Sequence, residues 1–171
     1  MEEQIVNKVA NSGLVNIDLE DYYVKGVRKH IDLKDQLYMG LILKEKDFRE
    51  WIKTNDWSAY TGSYVSVNCS EDAIVPVWAF MLVASALAPY AKKVVFGDAE
   101  QLETVLYKEV IDQLDTREFA DQRLIIKGCG NLPVPRAAYV MLTAKLQPIA
   151  KSVMYGEACS TVPIYKKKSE E

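Results

Sequence analysis

Two stretches decide how this chain is read: PVWAFMLVASALAPYAKKVVFGD, from Pro76 to Asp98, and PRAAYVMLTAKLQPIAKSVMYGE, from Pro135 to Glu157. At an offset of 59 they align without a gap, and 8 of the 23 positions are identical, among them Pro76/Pro135, Leu87/Leu146, Pro89/Pro148, Lys92/Lys151 and Gly97/Gly156. Ordinary composition gives roughly one or two identities over such a length. Two copies at this period are an internal duplication, not a solenoid array.

Each copy has the same physical reading. The leading proline suits the first turn of a helix, where its missing N–H would have no partner. The apolar residues that follow cover much of the helix, as packing on a sheet requires, and Pro89 and Pro148 stop it. Lys-x-Val-x-aromatic-Gly then reads as a short buried strand closed by a glycine turn and an acid. Upstream, YVSVNC (Tyr64 to Cys69) and LIIKGC (Leu124 to Cys129) read as strands, so the copies span 64–98 and 124–157. Between them, apolar residues at 102, 105, 106, 110, 111 and 114 have helical spacing over Glu100 to Leu114.

The order from residue 64 is β-α-β-α-β-α-β, which implies an α/β fold with a largely parallel sheet and right-handed crossovers. The first 60 residues are less regular. Leu14 to Leu19 and His30 to Leu33 read as strands, paired with each other. Leu41 to Leu43 is ambiguous, and Glu45 to Lys53 is a surface helix with Phe48, Trp51 and Ile52 facing inward. This segment is expected to cover the sheet or its edge. No low-complexity linker interrupts the chain, so residues 1–171 are read as one domain with a disordered tail from Lys166 to Glu171.

Bulk properties narrow the function classes. A net charge of -3 and a single basic run, Lys166 to Lys168, argue against nucleic acid. Ala73 to Ala91 carries no charge and is nearly long enough to span a bilayer. Pro76 and Pro89 shorten its helix, however, and the second copy carries Arg136 and Lys145, so a buried helix is expected and not a membrane span. The N-terminus lacks a basic region followed by an apolar stretch, and the three cysteines are an odd, widely spaced set. Both features point to the cytoplasm.

Ligands of open parallel sheets bind beyond the carboxyl ends of the strands. Those ends carry Cys69, Cys129, Asp98, Glu157 and, two residues after Glu157, Cys159 at the position equivalent to Glu100. All three thiols are therefore expected on one edge of a common sheet. Thiolates bind zinc or iron–sulfur centres, with a carboxylate or His30 as a fourth ligand, and Gly128 and Gly130 would let backbone amides approach the bound species. There is no Cys-x-x-Cys pair, and the competing reading is that the cysteines are simply buried. His30, the single histidine, is read as a surface residue. The acids Glu71, Asp72, Asp98, Glu100 and Glu157 serve either as paired catalytic carboxylates or as partners of helix starts. Gly128 to Asn131 reads as an anion cradle or as a tight turn. Tyr22, Tyr23 and Tyr60 are candidates for a protein interface.

Three segments bear a resemblance: IDLKDQLYMGLILKEKDFREW (Ile31 to Trp51), CSEDAIVP (Cys69 to Pro76) and MYGEACSTVPIYKK (Met154 to Lys167). Together they resemble the bacterial domain of unknown function 2480 family, over nearly the whole chain. The resemblance implies no established activity. It implies encoding near iron–sulfur assembly genes, and so a protein partner in that process.

Three functions are carried forward. The first is an accessory protein that binds a metal ion, an iron–sulfur centre or a sulfur species through Cys69, Cys129 and Cys159, supported by Asp98, Glu100, Glu157, Gly128 and Gly130. The second is a non-catalytic interaction module with structural cysteines, which a homo-oligomer would suit. The third is a small-molecule enzyme using the strand-end carboxylates. Whether the protein is an enzyme stays open at this point.

Overall fold

The computed structural model describes residues 13–128 and 130–168. In chain order the elements are β1 (Leu14–Asp18), β2 (Arg28–Asp32), α1 (Glu45–Thr54), β3 (Tyr64–Asn68), α2 (Val77–Leu87), β4 (Lys93–Phe96), α3 (Ala99–Gln113), β5 (Arg123–Lys127), α4 (Arg136–Leu146), β6 (Ser152–Glu157) and β7 (Ser160–Lys166). The chain is α/β, and every ladder is parallel except β6–β7. Among the described residues no helix is long and apolar enough to cross a membrane.

The strands form two sheets, β2-β3-β4 and β1-β5-β6-β7, where the sequence suggested one common sheet. They belong to two compact units. An inserted unit runs from Val24 to Val105, and a terminal unit combines residues up to Tyr23 with those from Leu106 onward. The physical reason lies in a short repeat in the irregular N-terminal segment. Ile17-Asp18-Leu19-x-Asp21 recurs 14 residues later as Ile31-Asp32-Leu33-x-Asp35. Each copy forms an edge strand, but the two do not pair with each other as expected. β1 lies beside β5, with Ile17 opposite Ile126, and β2 lies beside β3, with Ile31 opposite Val67. A lone strand–helix–strand unit makes only one ladder, and each repeat strand supplies the further strand that a stable sheet needs.

The two units bury equivalent residues. In the inserted unit Ile31, Leu33, Phe48, Val65, Ala79, Val83 and Leu87 form the core. In the terminal unit Ile17, Leu19, Tyr107, Leu124, Ala138, Leu142 and Leu146 do so. α2 and α4 have 11 residues each, with bounds that differ by the offset of the two matched stretches. Pro76 and Pro135 sit at the capping position just before each helix, not at its first residue. Phe48 and Tyr107 are the largest fully buried side chains of their respective cores. The tyrosine hydroxyl donates to Leu19 O at 3.1 Å, which satisfies a polar atom that burial would otherwise penalise. In the inserted unit Glu103 on α3 accepts from Arg28 Nε and Nη2 at 2.7 and 3.0 Å, a bidentate pair in which Glu103 is 6% exposed.

The aspartates of the repeat close the strands. Asp18 Oδ1 accepts from the Glu20 amide (3.0 Å) and Asp32 Oδ1 from the Lys34 amide (3.1 Å), and each caps a 3-10 turn that carries the chain away from the sheet. Near the C-terminus, β7 was not anticipated. Lys166 ends this strand opposite Ser152, and the Lys167 amide donates to Lys151 O at 3.0 Å, so the tail expected from Lys166 is part of the sheet up to that point. Residues 169–171 lie outside the described residues. Pro163 concealed the strand, since proline removes a ladder donor. It is tolerated on this edge strand, where the register shifts between Val153 and Met154.

Two outcomes follow. Leu87→Ala and Leu146→Ala, each at a fully buried position, should each lower unfolding free energy by about 2–5 kcal/mol in urea titrations. Val140→Ala, on an exposed helix face, should change it by less than about 0.5 kcal/mol. For Asp32, burial alone would raise the carboxyl. The Ser70 hydroxyl and amide, the Lys34 amide and the Lys34 ammonium outweigh that and hold it at about 2, below its ordinary 3.8. A lowered folded-state value stabilises above the unfolded value and is lost as pH falls through the folded one. The stability gap between the wild type and Asp32→Ala should therefore be constant above about pH 5. It should close between 3.8 and about 2 in urea titrations across pH.

Candidate functional site

The carboxyl ends of the parallel strands were the expected location. In the terminal unit they hold a charged trio across three adjacent strands. Lys127, at the end of β5, has Nζ 3.4 Å from Asp18 Oδ2 on β1 and 3.7 Å from Glu157 Oε1 on β6. The Asp18 hydrogen bond, and then the Glu157 charge, hold the Lys127 ammonium above its usual range. A lysine so held keeps its proton at neutral pH, which suits an ionic clasp and not a base or nucleophile.

The loop after β5 serves the fold. A Cβ on Gly128 would stand 2.8 Å from the Tyr139 hydroxyl and 3.0 Å from Leu19 Cβ, and one on Gly130 would meet the Glu20 carboxylate. Glu20 Oε1 itself accepts from the Leu132 amide at 3.2 Å. The glycines thus allow close approach to the chain's own groups, and the place of an anion in this loop is taken by Glu20. This favours the tight-turn reading over the anion cradle.

In the inserted unit the corresponding ends are also locked. Asp32 accepts from the Ser70 amide (3.0 Å) and hydroxyl (2.6 Å), which ties the loop after β3 to the end of β2. Asp98 Oδ1 accepts from the Glu100 and Gln101 amides (2.8 and 3.0 Å), so Asp98 caps α3 and Glu100 lies in its first turn. These are the helix-start roles of the acids. Asn68, at the end of β3, has a buried Oδ1 without a partner among the described residues.

The cysteines are distributed over both units. Cys69 is half-buried against the core of the inserted unit, with Sγ 3.7 Å from Glu71 O. Cys159 is exposed in the two-residue turn between β6 and β7 of the terminal unit. Cys129 lies outside the described residues. The premise that all three thiols crown one sheet does not hold, because the strands form two sheets. Among the described residues no group of three or more His, Cys, Asp or Glu is arranged to hold a metal ion. His30 is exposed, and its Nδ1 lies 2.8 Å from the hydroxyl of buried Ser66. Tyr22 and Tyr23 pack half-buried on the core of the terminal unit and Tyr60 on that of the inserted unit. Burial pushes the hydroxyls of Tyr22 and Tyr60 up.

An apolar concavity in the terminal unit was not foreseen. A groove of about 680 Å³ runs in the terminal unit between α4 and the β6–β7 hairpin. Tyr139, Val140, Thr143, Ala144 and Gln147 form its helix wall, and Val153, Tyr155 and Ile164 are among its sheet residues. Arg136, the first residue of α4, is among its lining residues. Its volume falls in the range of small-molecule sites, and its lining has their character, apolar with a few polar groups. Two signals in the sequence bore on it: Arg136 opening α4, and the apolar Ile164 after Pro163. A second hollow in the same unit gathers Arg123, Lys151, Lys166, Lys167 and Lys168 around Asp121, so the terminal lysines belong to a basic surface.

No curated protein and no solved structure matches the chain. The family model described as "Protein of unknown function (DUF2480)" matches residues 3–167. With nearly its whole length covered, the chain belongs to the DUF2480 family of proteins of unknown function.

Proposed function

We propose that this is a binding protein whose working site is the groove of the terminal unit, and that its ligand is an apolar molecule with an anionic head group. The reading rests on Arg136. A cation in the first turn of a helix opposes the macrodipole at a typical cost of about 0.3–1 kcal/mol. No carboxylate among the described residues pairs with it. The equivalent residue of the inserted unit is Val77, where the sequence avoids that cost. An anion at the start of α4 would receive both the guanidinium and the free amides of the first helical turn. The apolar walls behind it would take the body of the ligand.

On this reading Lys127, Asp18 and Glu157 hold the strand ends together and take no part in chemistry. The protein works in the bacterial cytoplasm, which the odd cysteine count suits. A metal, iron–sulfur or sulfur site at Cys69, Cys129 and Cys159 has its support in the placement of the cysteines along the chain, without the shared sheet, and a partner in iron–sulfur assembly has its support in the family resemblance.

The test is a calorimetric titration with decanoate and with decanol. Decanoate should bind at one site and more tightly than the alcohol. Arg136→Gln should weaken decanoate by roughly tenfold or more, the worth of a charge-assisted hydrogen bond, and leave decanol unchanged. Ala144→Trp, which fills the groove, should abolish both. A carboxylate preference that survives Arg136→Gln, or absence of saturable binding, would sink the reading.

A further inference from the structure

We infer that the inserted unit pairs with a second copy of this chain, β4 against β4, antiparallel about a two-fold axis at Val95. This stands on the inserted unit and is independent of the groove. β4 is the outer strand of β2-β3-β4, and no strand lies on its far side among the described residues. The equivalent place in the terminal unit, beside β6, is filled by β7 running antiparallel. Sheet edges left to solvent are ordinarily blunted by charge or proline. β2 carries Arg28, Lys29 and His30, and β7 carries Pro163 and Lys166. β4 carries one charge, at its first residue Lys93, and continues as Val94, Val95 and Phe96, with Phe96 70% exposed.

Charge selects the occupant. Lys92 and Lys93 stand at one end of the strand and Asp98 at the other. Antiparallel pairing with Val95 opposite its own counterpart sets Lys92 against Asp98 of the second copy and Val94 against Phe96 of the second copy. An in-register parallel arrangement would set like charges together. Such a two-fold contact closes on itself, as stable homodimers do.

The neighbouring helix fits the same axis. Phe80 of α2 meets Phe96 edge-on with ring centroids 5.0 Å apart, so this side of the helix borders β4. The exposed stripe of α2 runs through Val77, Met81, Ala84 and Ala88 without a charge. α4 has Arg136, Val140, Thr143 and Gln147 at the matching positions. Across the axis the two α2 helices would lie on one face of a joined six-strand sheet and cover each other's stripes.

Sedimentation equilibrium on the full chain tests this. The wild type should be a dimer. Phe96→Lys and Met81→Glu change exposed residues, so circular dichroism should stay native while the dissociation constant rises at least tenfold. Lys92→Glu should weaken the dimer more at low salt than at high salt. Amide hydrogen exchange in β4 should slow as protein concentration rises. A monomeric wild type overturns the proposal and leaves β4 to a different chain. A dimer indifferent to Phe96→Lys, or β4 amides that exchange equally at all concentrations, also overturns it.

Discussion

The parallel pairing of one short Ile-Asp-Leu strand with the first strand of each strand–helix–strand unit is the constraint on which both units depend. Ile31 and Leu33 enter one core, Ile17 and Leu19 the other, and the aspartate between them turns the chain out of the sheet. Parallel ladders must be buried on both faces, and an edge strand of five residues adds just enough apolar surface on one of them. The same aspartates then fasten the strand ends, Asp32 to Ser70 and Asp18 to Lys127. The carboxyl ends where ligands of α/β sheets usually sit are therefore already occupied by the chain's own ion pairs and caps.

From that common plan the units diverge at one place. After β6 the chain turns at Ala158 and Cys159 and returns as β7, whose Ile164 joins Val153, Met154 and Tyr155 of β6 in lining the groove opposite α4. After β4 it passes instead through Gly97 into α3, and among the described residues no strand pairs with that edge. The helices carry the difference in their exposed residues. α4 opens with Arg136 and ends near Gln147, whereas α2 shows Val77 and Met81. One scaffold thus presents a groove with a cation in its lining in one unit and, among the described residues, an uncharged helix face beside an unpaired strand edge in the other.

Much of this was legible in the residues. The matched stretches give the helices and the following strands, because an apolar run between two prolines and a Val-x-aromatic-Gly strand read the same way in any context. The capping of α3 by Asp98 was among the foreseen roles of the strand-end acids. The thiol site was legible only as spacing along the chain. It required Cys69 and Cys129 to follow strands of one sheet, and β3 and β5 are in different ones. The groove was hidden for a related reason: it forms where α4 packs beside β6 and β7, and β7 contains a proline, which a reading of local pattern sets aside.

By itself the amino-acid sequence determined the α/β class, the identity of nearly every helix and strand, and the matching order of elements in the two aligned stretches. Local periodicity and the steric demands of proline and glycine act within a few residues of chain, so these features need no distant contact. Only the tertiary structure decided which strands share a sheet, that the Ile-Asp-Leu strands part company, and that the C-terminal lysines join β7 and its basic surface. Strand partnership depends on hydrogen bonds between residues about a hundred positions apart, such as Ile17 and Ile126. A strand that satisfies one ladder would satisfy another equally well until the cores beneath them are packed.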